Sequence, residues 1–181
     1  LSKRDLDGNL VWTRQFGTSA TDQAAEHALA FTASGEIVLA GHTDGTLPSQ
    51  TSTGGRDVFL RAHDTDGDVM WTRQFGTSGT DYAGALTVPG DGYIYLAGSV
   101  LGALTGHTAL GGDDAFVARL STTGALVGVR QFGTDQNDFV RGMAFVGSDL
   151  LLAGRTGGAF PGQTAPSSGA YASYLIRMSP W

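Results

Sequence analysis

The segment Trp12-Thr13-Arg14-Gln15-Phe16-Gly17-Thr18 returns intact at residues 71–77, and returns again at 129–134 as Val129-Arg130-Gln131-Phe132-Gly133-Thr134. The spacings are 59 and then 57 residues, so the chain is one unit written three times. Other landmarks keep the same period. Gly41, Gly98 and Gly154 follow short apolar runs; Leu47, Leu104 and Phe160 stand in the loops after them; Phe59, Phe116 and Tyr174 stand in the next apolar runs. Self-similarity at a period of 20–50 residues or a little more marks propellers, solenoids and arrays, because one unit cannot bury its apolar face without the next. The approximate units are 1–59, 60–116 and 117–174, with 175–181 completing the last strand, and residues 1–181 are read as a single domain.

Each unit reads as four short strands, placed in the first complete unit near 25–32, 36–41, 57–63 and 69–75. Turn residues separate them: Ala33-Ser34-Gly35, Gly90-Asp91-Gly92 and Gly147-Ser148 after the first strand, Asp64-Thr65-Asp66-Gly67 and Ser121-Thr122-Thr123-Gly124 after the third. Segments 42–56, 99–113 and 155–171 are too polar and glycine-rich for helix, and no segment has helical periodicity. The runs Ile37-Val38-Leu39-Ala40, Ile94-Tyr95-Leu96-Ala97 and Leu150-Leu151-Leu152-Ala153 do not alternate with polar residues, which predicts strands covered on both faces. A radial propeller supplies that environment, since each four-stranded blade lies between two neighbours.

Charge and composition remove several classes of function. The chain has eleven basic and seventeen acidic residues, a net charge of −6, and one lysine, Lys3. That balance argues against nucleic acid or an anionic membrane surface as partner. No apolar run approaches the roughly 20 residues of a membrane span, and the absence of cysteine removes disulfides, thiolate nucleophiles and cysteine metal sites. The first residue is not methionine, which suggests a processed product or a piece of something longer.

The phrase Asp114-Ala115-Phe116-Val117-Ala118-Arg119-Leu120, with Asp57-Val58-Phe59-Leu60-Arg61 and Ala172-Ser173-Tyr174-Leu175-Ile176-Arg177 as variants, resembles the bacterial β-propeller repeats called SBBP repeats. Gly76-Thr77-Ser78-Gly79-Thr80-Asp81 and Gly41-His42-Thr43 match further phrases of that family. The third unit departs from it, with Gly128 in place of Trp12 and Trp71, and Ala172 in place of Asp57 and Asp114. The resemblance implies an all-β fold of propeller blades, each of four antiparallel strands A to D from the axis outward, and an extracytoplasmic bacterial setting: periplasm, secreted or cell surface. It implies little about activity.

On that lettering the chain contains D, ABCD, ABCD and ABC, which resembles a ring closed by sharing one blade between the two chain ends. Propellers have four to eight blades, so three would leave apolar faces uncovered. Either two copies complete a six-bladed ring, or the chain is part of a longer array. Leu1 to Asp5 align with the end of a C strand, which favours the second arrangement. The expected partners are therefore the remaining blades, another protein or a second copy.

Few residues offer chemistry. Asp22, Asp81 and Asp138 recur before the A strand and could converge on calcium at a ring mouth, although calcium needs six to eight oxygens; a repeated Asx-turn or strand-entry cap is the preferred reading. Asp5-Leu6-Asp7-Gly8 and Asp64-Thr65-Asp66-Gly67-Asp68 lack the full calcium-loop pattern and read as hairpin turns. The histidines show no zinc spacing, and no nucleophile elbow, phosphate loop or dinucleotide fingerprint occurs. No cofactor is expected. Near the A strands, Glu26, His27, Tyr82 and Arg141 are candidates for a ligand site at the axial mouth, although Glu26 and His27, as neighbours on a strand, should face opposite ways. Trp12 and Trp71 are expected to pack between blades, and Arg14, Arg73 and Arg130 to protect an outer edge or pair with a neighbouring Asp. The sequence thus predicts a non-enzymatic structural or protein-interaction module, with a ligand-binding, carbohydrate-binding or carbohydrate-active propeller, its site at the axial mouth, as the alternative.

Overall fold

The computed structural model describes residues 1–179 and 181. It is all-β. Thirteen strands form four antiparallel sheets. A hairpin pairs β1 (Ser2–Arg4) with β2 (Leu10–Thr13); the first four-stranded sheet runs β3 (Asp22–Phe31), β4 (Ile37–Thr43), β5 (Asp57–His63) and β6 (Val69–Phe75). The second runs β7 (Asp81–Thr87), β8 (Tyr93–Leu101), β9 (Asp113–Ser121) and β10 (Leu126–Phe132), and a three-stranded sheet holds β11 (Asp138–Val146), β12 (Asp149–Thr156) and β13 (Ala172–Met178). Strands thus follow one another by hairpins or by the long polar loop, as the repeat requires. The expected third and fourth strands are met at 57–63 and 69–75; the first begins three residues early because Asp22 already pairs with Thr43.

The sheets stack face to face in chain order, with β3 beside β7 and β7 beside β11, and they do not close into a barrel. One core lies between the first two sheets, built on Val38, Leu60, Ile94, Leu96, Phe116 and Leu120. A second lies between the last two, built on Ala97, Val117, Val140, Leu150 and Leu152. The middle sheet is therefore covered on both faces, and in β8 every residue from Ile94 to Val100 is buried. Full burial of one Leu or Ile contributes about 1.5–3 kcal/mol. The expectation of two-sided burial fails for Leu150–Ala153: Leu150 and Leu152 are buried, but Ala153 is exposed and Leu175 opposite it is 70% exposed, because nothing among the described residues covers that face. The same apolar run thus alternates once it becomes an outer surface.

Two repeated devices hold the units in register. Within a sheet, the amide of Gln74 donates to Asp57 Oδ2 (2.8 Å) and to the Gly45 carbonyl (2.9 Å), while its Oε1 accepts from the Leu47 N–H (2.9 Å). Gln131 repeats this with Asp114, Gly102 and Leu104 at 2.7, 2.8 and 2.9 Å. The glutamine thereby pins the long loop and buries Leu47 and Leu104. Ala172 breaks this pattern in the third unit, where Phe160 instead meets Tyr174 edge to face at 5.2 Å.

Between units, an indole reaches onto the next hairpin turn. Trp12 Nε1 donates to the Thr65 carbonyl (3.4 Å) with its ring against Gly67, and Trp71 Nε1 donates to the Thr122 carbonyl (2.9 Å) with its ring against Gly124. A Cβ at Gly67 would stand 3.0 Å from the Trp12 ring, and one at Gly124 would stand 2.6 Å from Trp71. The arginine two residues after Trp12 joins the clasp, with Arg14 donating to the Asp66 and Gly67 carbonyls and pairing with Asp68 at 3.1 Å. At Gly128 the sizes are exchanged: the indole of Trp181 lies against the glycine, and Arg130 donates to the Ser179 carbonyl at 2.6 Å.

The first hairpin keeps the pairing of a third and fourth strand, Lys3 facing Trp12 as Ala62 faces Trp71. Since β2 pairs with β1, and β13 has no fourth strand beside it among the described residues, the chain ends do not share a sheet. Among the described residues no helix is long and apolar enough to cross a membrane.

Candidate functional site

The three recurring aspartates are engaged in turns. Thr18, Thr77 and Thr134 each donate both the backbone N–H and the hydroxyl to the carboxylate four residues later, that of Asp22, Asp81 and Asp138 respectively. Among the described residues no three His, Asp or Glu side chains gather as a metal would require. The Asp5 and Asp64 carboxylates likewise close their own hairpins, each accepting two backbone N–H groups from the following four residues.

Asp81 differs in its electrostatics. Burial, then the charge of Asp57 across Gly76, pushes its carboxyl up to about 6 against the opposing bonds from Thr77. An acid raised on folding keeps its proton where the unfolded chain has lost it, so its contribution falls as pH rises from about 4 to 6. Relative to Asp81→Asn, the wild type should therefore lose about 1–3 kcal/mol of stability between pH 4 and 7. Urea titrations of both proteins across that range would test this, and a constant difference would refute it.

The inner strands β3, β7 and β11 carry the more informative feature. Each interrupts its ladder with a bulge shortly after the recurring aspartate. In β7 the extra residue is Gly84, in β11 it is Arg141, but in β3 three residues, Ala25 to His27, are extra between the Ala24–Gly41 and Leu29–Leu39 pairs. His27 there has φ of +54°, a left-handed conformation disfavoured for a residue with a side chain. Bulges re-aim side chains, and backbone strain collects at functional sites.

These bulges face one cleft of about 610 Å³. It is lined by Gln23, Tyr82 and Phe139, each following the recurring aspartate; by Glu26, His27, Gly84 and Arg141 at the bulges; by His42, Ser99 and Arg155, each following the recurring glycine; and by Arg56 and Asp113, each preceding the third strand's buried aspartate. The four predicted ligand residues, Glu26, His27, Tyr82 and Arg141, are all present. Glu26 and His27, expected to face opposite ways, both line this cleft, and the bulge interrupts the strict alternation on which that expectation rested.

The cleft is polar and largely prearranged. Arg56 makes a two-pronged pair with Asp44 (2.5 and 3.0 Å), and its guanidinium lies 5.0 Å from the Tyr82 ring centre. That pairing holds the Asp44 carboxyl below the usual range. His42 is buried edge-on to Tyr82 at 5.2 Å, and burial together with Arg56 lowers its affinity for a proton, keeping the imidazole neutral near pH 7. Burial and the neighbouring Asp114 raise the Asp113 carboxyl. Arg141 and Arg155 both lie over the Phe139 ring, at 5.5 and 4.7 Å, and Arg155 also lies over Tyr171 at 4.3 Å.

Sequence reasoning missed His42, Arg56, Asp113, Phe139 and Arg155 because no short motif holds them. Two signals were available. Asp22 precedes Gly41 by 19 residues, whereas Asp81 precedes Gly98 by 17 and Asp138 precedes Gly154 by 16, which marks the enlarged bulge. Several cleft positions also differ chemically from unit to unit: Gln23, Tyr82 and Phe139; His42, Ser99 and Arg155; and Arg56 against Asp113.

No family model matches this sequence. The chain is 30% identical over 173 residues to a protein described as regulatory protein FlaEY of Caulobacter vibrioides, a match that takes in 87% of this chain and 18% of that protein's length.

Proposed function

We propose that this chain is a set of β-propeller blades acting as a non-enzymatic recognition module in an extracytoplasmic bacterial protein or surface assembly, with its binding site in the cleft at the inner strands. Its outer faces would meet further blades or a second copy in a six-bladed ring. The carrying observation is that three repeat-equivalent positions, brought to one cleft from three sheets (Gln23, Tyr82 and Phe139; His42, Ser99 and Arg155; and the bulges with His27, Gly84 and Arg141), hold different chemistry in each unit while the residues that hold the fold recur. A purely structural array has no need to vary those positions together, nor to strain His27 at the rim. Arg56, the half-buried cation of the cleft, is already satisfied by Asp44.

The test is amide chemical-shift mapping with a panel of sugars, sugar acids, amino acids and short peptides. Shifts should gather at residues 23–27, 82–84 and 139–141. A panel that leaves those amides unmoved, or moves only the surroundings of Trp12 and Trp71, would remove the cleft as the site. Light scattering at twice 18.7 kDa would favour the paired ring.

A further inference from the structure

We infer that the cleft selects a carboxylate-bearing small ligand that also presents hydroxyl or ammonium donors; this rests on the cleft being the binding site. In an acidic chain with only eleven basic residues, three arginines border this one space. Arg56 is neutralised by Asp44 and serves as wall. Arg141 and Arg155 make no ion pair and no side-chain hydrogen bond among the described residues, and both lie over Phe139. A guanidinium held near a ring by its charge keeps its N–H groups for an acceptor. Two such forks in one cleft match the planar, two-oxygen geometry of a carboxylate.

The same cleft carries Glu26 and Asp113. Against the two free guanidinium charges they leave a local balance near zero, which disfavours a phosphate dianion and suits a ligand that pairs its carboxylate with donor groups for the two acids. Neither has an ion-pair partner among the described residues, so each offers acceptor oxygens to a ligand hydroxyl or ammonium. Sugar acids and amino-acid-like ligands both supply this combination.

Calorimetric titration of the full chain with glucuronate, glucose, glutamate and inorganic phosphate separates the possibilities. Glucuronate or glutamate should bind, glucose at least about tenfold more weakly, since glucose lacks the group that the forks read. Binding by glucuronate alone assigns a sugar acid, and binding by glutamate alone assigns an amino-acid-like ligand. Arg141→Ala and Arg155→Ala should each weaken binding about tenfold or more, Arg155→Lys nearly as much because the fork is lost, and Arg177→Ala, on β13 and paired with Asp149, should change nothing. Glucose equal to glucuronate, or phosphate tighter than both acids, would overturn the carboxylate assignment while leaving the cleft a binding site. If none of the four binds and the shift panel also leaves the cleft still, the site itself is refuted; if the panel moves it through neutral compounds only, the carboxylate inference alone is refuted.

Discussion

Replacing Gly98 by alanine should destabilise this protein by about 3 kcal/mol or more, a loss of roughly 6–12 °C in unfolding midpoint for a chain of this size. Gly98 stands between the Tyr82 carbonyl of β7 and the ring of Phe116 on β9, its paired residue. A Cβ there would lie 1.9 Å from that carbonyl oxygen and 2.9 Å from the ring. No side-chain rotation relieves a contact with backbone, so the strand pair must separate in the most deeply buried sheet of the molecule. Gly41 and Gly154 meet the same obstacle, at 2.2 Å from the Gln23 carbonyl and 1.9 Å from the Phe139 carbonyl. Gly142 is the control, since its nearest neighbour would be the Ala153 Cβ at 4.0 Å; Gly142→Ala should be neutral within about 0.5 kcal/mol or slightly stabilising. Thermal and urea unfolding of both variants checks the pair. Equal midpoints would mean that the close approach costs nothing.

The exchange of sizes at Gly128 leads to a coupled prediction. Gly128→Trp alone should cost about 2 kcal/mol or more, because the new indole claims the space of Trp181, whose Nε1 would lie 2.6 Å from a Cβ at residue 128. Trp181→Gly alone should cost about 1–2 kcal/mol by removing an indole that packs near Tyr95 (5.9 Å) and against Arg119 and Arg130 (4.7 and 5.0 Å). Together they recreate the Trp-over-Gly arrangement of Trp12 with Gly67 and Trp71 with Gly124. The double variant should therefore be more stable than the sum of the singles by about 1–2 kcal/mol. Strict additivity in a double-mutant cycle would show that the two positions do not share one space.

Much of this was legible along the chain. The recurrence of Arg-Gln-Phe-Gly-Thr announced the units, and its glutamine proves to be the residue that fastens the long loop to the sheet, although repetition alone did not say so. The turn glycines and the third and fourth strands could be read because each depends on a few neighbouring residues. The cleft was half legible. Glu26, His27, Tyr82 and Arg141 were reachable from their place near inner strands, but Arg56 and Arg155 arrive from other strands of other units.

The sequence by itself determined the period, the all-β character and the strand order within each unit, since all of these follow from local pattern and from repetition. Only the tertiary structure decided which apolar runs are covered on both faces, because burial of Leu150–Ala153 depends on what lies against them. It also decided that Glu26 and His27 share a cleft, because a bulge with His27 in a left-handed conformation re-aims side chains that a regular strand would have sent apart. And it alone brought positions at which the units differ around a common space.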